Sequence, residues 1–239
     1  MAFSSFATVL NVDRRGRGAS GDTPPYSLKR EFDDLAAIIE AAGGGVTLYG
    51  HSSGAGLALR AAAHGLPVTR LILHEPPFGA DDAESTTAAK ALAGSVVAAL
   101  DAGRGADAIE VFMTAAGLPP DAVSAMCEDP RLVAMAHTMR YDIEVMGEMV
   151  TGGTLPEDEV RAIEVPTLVL AGDASPAFFR DTAARIAGIL RDGRLQILPG
   201  EGHEPTPEVV AAAVRGFLAS GTEPGPHATS VRRRSSPAP

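Results

Sequence analysis

Short unbroken apolar runs alternate along this chain with longer stretches whose apolar residues return every three or four positions. Runs of the first kind, bounded by turn residues, read as buried strands; stretches of the second kind read as helices with one apolar face. The strand candidates are residues 6–12 (FATVLNV), 46–49 (VTLY), 70–74 (RLILH), 167–171 (TLVLA) and 194–198 (RLQIL). The helix candidates are residues 27–42, 53–64, 178–190 and 205–218. In the first of these, Ser27 stands as N-cap, Phe32, Leu35, Ile38 and Ile39 mark one face, and Gly43 ends the run. Pro76-Pro77 stops the strand at 70–74, and Pro166 introduces the one at 167–171.

Strands alternating with helices predict a parallel sheet with right-handed crossovers. One segment breaks the alternation. Residues 79–160 contain no good strand, only Ala-rich helical pattern broken at Gly117-Leu118-Pro119-Pro120 and at Gly152-Gly153. The chain therefore divides into core (1–78), a helical cap insertion (79–160), core again (161–219) and a tail (220–239) that is polar, Pro-rich, without periodicity and expected to be disordered.

In a parallel sheet the chemistry gathers at the carboxyl ends of the strands. There the chain reads Gly50-His51-Ser52-Ser53-Gly54. Only Ser52 has glycines at both flanking places of G-x-S-x-G, a sharp strand-to-helix turn that lifts a serine hydroxyl above the sheet. A Cβ at either glycine is expected to clash with the neighbouring strand or helix. A helix starting at Ser53 would offer its N–H groups to a developing oxyanion. A serine nucleophile needs a base. Of six histidines, His203 in PGEGHE stands after the last strand, on a glycine-rich loop at the same edge. His51 is expected to point away from the serine, and His64, at a helix end, reads as structural.

Composition narrows the field. Hydrophobic residues at 45% and charged residues at 21% suit one globular core. A net charge of −10 opposes general nucleic-acid binding and gives anionic membranes no attraction. No apolar stretch approaches the roughly 20 residues that span a bilayer, and residues 1–10 lack a basic leader, so a cytoplasmic protein is expected. Cys127 is the only cysteine, so no internal disulfide can form, and it reads as an apolar filler. The Cys, His and acidic spacings match no zinc or calcium pattern; neither metal nor cofactor is expected. Arg14, Arg15 and Arg17 are expected to tie their turn to nearby carboxylates and backbone carbonyls.

The turn DRRGRGASGD (residues 13–22), GHSSG (50–54), VPTLVLAG (165–172) and LPGEGH (198–203) occur in the order seen in the α/β-hydrolase superfamily, which the chain resembles over residues 6–219. The resemblance implies a mostly parallel α/β-hydrolase sheet with an inserted helical cap, Ser52 as nucleophile, His203 as base and the Ser53 N–H as one arm of an oxyanion hole. The acid has two candidates. In many members it follows the strand matching VPTLVLAG, as G-x-x-D; here Ser175 holds that place and Asp173 comes two residues early. Glu75, at the end of RLILHE, sits where other branches carry theirs, and it is preferred to Asp173. No His-Gly loop stands upstream to donate a second oxyanion N–H, so the sheet is read as N-terminally truncated, with Met1 an internal residue of a longer hydrolase or the chain a degenerate or complemented member. The expected activity is hydrolysis of a small or medium ester, thioester or lactone. The specificity candidates in the cap are Val111, Phe112, Met113, Met126, Met135, Met139, Met146 and Met149. The alternative is a non-catalytic binding protein for a small molecule on the same scaffold. The expected partner is that small-molecule substrate.

Overall fold

The computed structural model describes residues 2–220; Met1 and the expected tail from 221 on, with its arginines 232–234, lie outside the described residues. Four strands form one parallel sheet in sequence order: β1 (Val46–His51), β2 (Val68–His74), β3 (Thr167–Gly172) and β4 (Gly193–Leu198). The chain is thus of the α/β class. Helix α1 (Leu28–Ala41) precedes β1, and α2 (Ser53–Ala63) links β1 to β2. Helices α10 (Ala177–Ile189) and α11 (Pro207–Ala219) follow β3 and β4. Every strand expected from 46 onwards forms, lengthened by one or more residues.

Residues 6–12 do not join the sheet. Leu10 and Val12 are 58% and 43% exposed, and the backbone before them turns back, with the Phe6 and Ala7 N–H groups on Phe3 O. A strand is a pairing relation, and this run pairs with neither edge of the sheet: β1 is hydrogen-bonded to β2 alone, and among the described residues no strand lies on its other side. Phe3 and Phe6 bury their rings against the α11 side instead.

The period-two alternation of the strands sorts the core onto two faces. Leu71, Leu73, Val169 and Ala171 meet α2 and α10; Ile72, Leu168, Leu170 and Leu198 meet Val210, Val214 and Phe217 of α11. Register carries the site. His51 pairs with His74, His74 with Leu170 and Gly172 with Leu198, so all four strands end along one rim.

Between β2 and β3 the chain is helical: α3 (Ala83–Asp101), α4 (Gly105–Ala115), α5 (Pro120–Glu128), α6 (Pro130–Met135), α7 (Met139–Met146), α8 (Glu148–Thr151) and α9 (Glu157–Arg161). Ala93, Val96, Ala108 and Ile143 make a small apolar centre of their own, on which Val111, Phe112 and Met139 pack. Among the described residues no helix is long and apolar enough to cross a membrane.

The arginine-rich turn reaches this helical segment. Arg14 bonds Glu31 (2.5 Å) and Asp142 of α7 (2.7 Å), and Arg17 bonds the other oxygen of Asp142 (2.7 Å). Arg15 takes Asp34 and the carbonyl of Arg30, as the expected tie to carboxylates and carbonyls requires. At the far end of α7, Met146 is buried directly on Gly56 of α2, where an added Cβ would come within 2.5 Å of its sulfur. Helix α7 therefore spans from the arginine turn to the first turns of α2.

Candidate active site

The turn at residues 50–54 is sharp and strained. Ser52 has φ 55°, in the left-handed region that disfavours a side chain, and its N–H bonds His74 O at 2.9 Å. The two glycines differ in what they do. A Cβ on Gly50 would lie 2.2 Å from Gly54 O and 2.7 Å from Ala55 Cα, whereas a Cβ on Gly54 would meet nothing within 4 Å. The expected clash therefore holds for Gly50 and not for Gly54. Overpacking against backbone costs about 1–3 kcal/mol or more. Gly50→Ala is expected to lower Tm by roughly 10 °C at this chain length, with Gly54→Ala within a few degrees of the parent, as thermal melts followed by circular dichroism will show.

The strand ends bring Ser52, His203 and Glu75 into one bonded line. His203 Nε2 lies 3.2 Å from Ser52 Oγ, and His203 Nδ1 lies 2.6 Å from Glu75 Oε2. Glu75 is fully buried, and its other oxygen accepts the Gly172 N–H at 2.8 Å. It too sits at positive φ, 47°, directly before Pro76-Pro77. Burial alone would raise its pKa; the bonds from His203 and the Gly172 N–H, with the neighbouring Ser175 hydroxyl, outweigh burial and bring it down to about 2. Ser175, at the place of the common acid, is itself buried; its hydroxyl makes no bond of good geometry, yet it is close enough to Glu75 to help keep it ionised.

Asp173 is exposed and capped differently. Its carboxylate takes the Gly200 N–H at 2.6 Å, bracing the loop that carries His203, and among the described residues no hydrogen bond or ion pair joins it to the imidazole. Ser53 opens α2, so its N–H belongs to the first helical turn, whose donors lack intrahelical acceptors. His64 caps the end of α2, its Nδ1 on Arg60 O.

The sequence reading gave three rings no part in the site, and it expected His51 only to point away from the serine. Phe179 of α10 stacks on the His203 imidazole, centroids 4.6 Å apart and planes 18° from parallel. His51 packs on it at 4.7 Å, and His74 packs on His51 at 4.9 Å. His51 could have been placed by its strand parity, which puts it on the same face as Tyr49; nothing in the sequence signals Phe179.

His74 is fully buried, its Nδ1 on the Tyr49 hydroxyl at 2.9 Å and its Nε2 without a partner among the described residues. Burial first, and the neighbouring His51 second, lower its pKa from 6.5 to about 4. Between those values the unfolded chain takes up a proton that the folded chain refuses. The stability tied to His74 is therefore complete above pH 6.5 and is lost as pH falls towards 4, a change of about 3 kcal/mol. Melts between pH 7 and 4 should show the Tm falling with acid, and falling less in His74→Leu.

Among the described residues no group of His, Cys, Asp or Glu is disposed to hold a metal ion. A comparison with curated proteins gives no match. Among solved structures, an alpha/beta hydrolase from Sphaerobacter thermophilus is 44% identical, with 86% of this chain and 80% of that one covered and a TM-score of 0.73. MenH from S. aureus (21% identity, 87% and 82% covered, TM-score 0.65) and NosK from Streptomyces actuosus (23%, 93% and 90%, 0.65) share the fold. The profile of the alpha/beta hydrolase family matches residues 2–213. A match across nearly all the described residues, met at the strand rim by the sharp serine turn the sequence displays, makes this chain a member of the alpha/beta hydrolase family.

Proposed function

We propose that the chain is a serine hydrolase of small or medium acyl substrates, an ester, thioester or lactone, acting through Ser52, His203 and Glu75. The observation that carries this reading is the unbroken line Ser52 Oγ, His203 Nε2, His203 Nδ1, Glu75 Oε2 at 3.2 and 2.6 Å. Ser52 Oγ attacks the acyl carbon as His203 Nε2 removes its proton. The ionised Glu75 holds the Nδ1–H, fixes the tautomer and stabilises the imidazolium. The oxyanion meets the Ser53 N–H and the positive end of α2. His203 returns the proton to the leaving group, and the acyl-Ser52 ester is then hydrolysed by a water that His203 activates in turn.

Residues 79–160 act as the cap that selects the substrate. Of the expected lining candidates, Met146 is spent on packing against α2, and Val111, Phe112 and Met139 on the centre between the cap helices. Met149, half exposed, is free of that duty. A reducing cytoplasm suits the lone Cys127.

The test is covalent labelling. Incubation with an alkyl fluorophosphonate should add one phosphonyl mass to the intact chain, on the peptide holding Ser52, and none to Ser52→Ala. A folded wild-type chain that neither labels nor hydrolyses p-nitrophenyl acetate or butyrate would leave the scaffold as a small-molecule binder.

A further inference from the structure

We propose that His51 is a positioning residue for His203: its Nε2–H holds the His203 backbone carbonyl while its ring, backed by His74, fixes the plane of the imidazole. The proposal rests on His203 acting as the base.

His203 stands in a loop between β4 and α11 that contains Gly200 and Gly202, residues that impose little conformation of their own. The loop is held by ties at its ends. Gly200 N–H bonds Asp173, and Thr206 N–H bonds Glu201. The tie at the base itself comes from His51, whose Nε2 lies 2.9 Å from His203 O. A carbonyl only accepts, so this bond fixes the His51 tautomer with its proton on Nε2. The same side chain therefore grips the His203 backbone and covers its ring.

His51 is held in turn. It ends β1 and is paired in register with His74, against which its ring rests, and His74 is oriented by the Tyr49 hydroxyl. Three side chains from two strands, His51, His74 and Tyr49, thus form a wall behind the base. The groups facing His51 are His203, His74, Glu204 and Glu75. Burial, then the neighbouring His203, lowers the His51 pKa, so the wall adds no positive charge beside an imidazole that must itself become charged.

Two isosteres separate position from bulk. The amide nitrogen of Gln can occupy the place of His Nε2; that of Asn reaches only the place of Nδ1. His51→Asn is expected to lower kcat for p-nitrophenyl acetate about 10- to 100-fold with KM within twofold, and His51→Gln to restore most of the loss. The second readout is the proton resonance of the His203 Nδ1–H in 15N-histidine-labelled chain. It should be sharp in wild type and His51→Gln and broadened by exchange in His51→Asn. Equal kcat or an equally sharp resonance in His51→Asn would overturn the proposal. If the wild type neither labels nor turns over, the hydrolase reading fails on its own, and the resonance still decides whether His51 holds His203.

Discussion

Ser52→Ala and His203→Ala are each expected to lower kcat for p-nitrophenyl butyrate by roughly 10⁴- to 10⁶-fold, and the double variant by no more than the worse single one. The expectation follows from the bonded line at the rim. In the proposed mechanism the hydroxyl and the imidazole, 3.2 Å apart, act as one device, so removing either leaves the other with no task. What survives is the catalysis of binding and of the N–H groups of α2. Steady-state kinetics on the three variants, with circular dichroism to establish folding, checks this. Losses that multiply in the double variant would mean that Ser52 and His203 work in separate steps.

Glu75→Gln carries the second large effect. An amide at position 75 can offer its N–H₂ towards His203 Nδ1, which favours the wrong tautomer, with the proton moved to Nε2 and no lone pair left for Ser52. A fall in kcat of roughly 10³- to 10⁴-fold is expected, with KM little changed. Asp173→Asn should stay within about tenfold of wild type, because its carboxylate serves the Gly200 N–H and not the imidazole. The variant also reads stability. Glu75 is ordinarily near 4.5 and is held at about 2 in the folded chain, so its stabilising share is present above 4.5 and is lost as pH falls through 2. Glu75→Gln should flatten the acid limb of the Tm curve in that window. A Glu75→Gln enzyme at wild-type rate, with Asp173→Asn inactive, would reverse the assignment of the acid.

The sheet was largely legible because its strands are short apolar runs stopped by glycine, proline or a charged turn. Residues 70–74 and 167–171 needed no context to be read. Residues 6–12 show the limit of that reasoning. Their side chains suit a strand as well as those of β1 do, but periodicity reports a preference, and a strand exists only where another backbone lies alongside. The trio that the structure gathers, Ser52, His203 and Glu75, was visible for a related reason: each stands at or just past a strand end, and a parallel sheet aligns those ends. What could not be read were contacts made across the rim. The bond from His51 to His203 O joins residues 152 apart, and Phe179 reaches His203 from a different helix. Gly54 was misjudged because clash depends on where the next turn of chain runs, which a motif does not record.

Helix α7 ties the helical segment to the core at both of its ends. Its first turn is gripped by Arg14 and Arg17 through Asp142, and its last residue lies on Gly56 of the helix that begins at the serine. These ion pairs are partly buried, so salt screens them weakly. Swinging the helical segment away on this side would break two charged bonds and strip Met146 from its seat. On the proposed reading of residues 79–160 as a cap, α7 is its anchored side, and an opening that exposes Ser52 is expected to leave this helix in place.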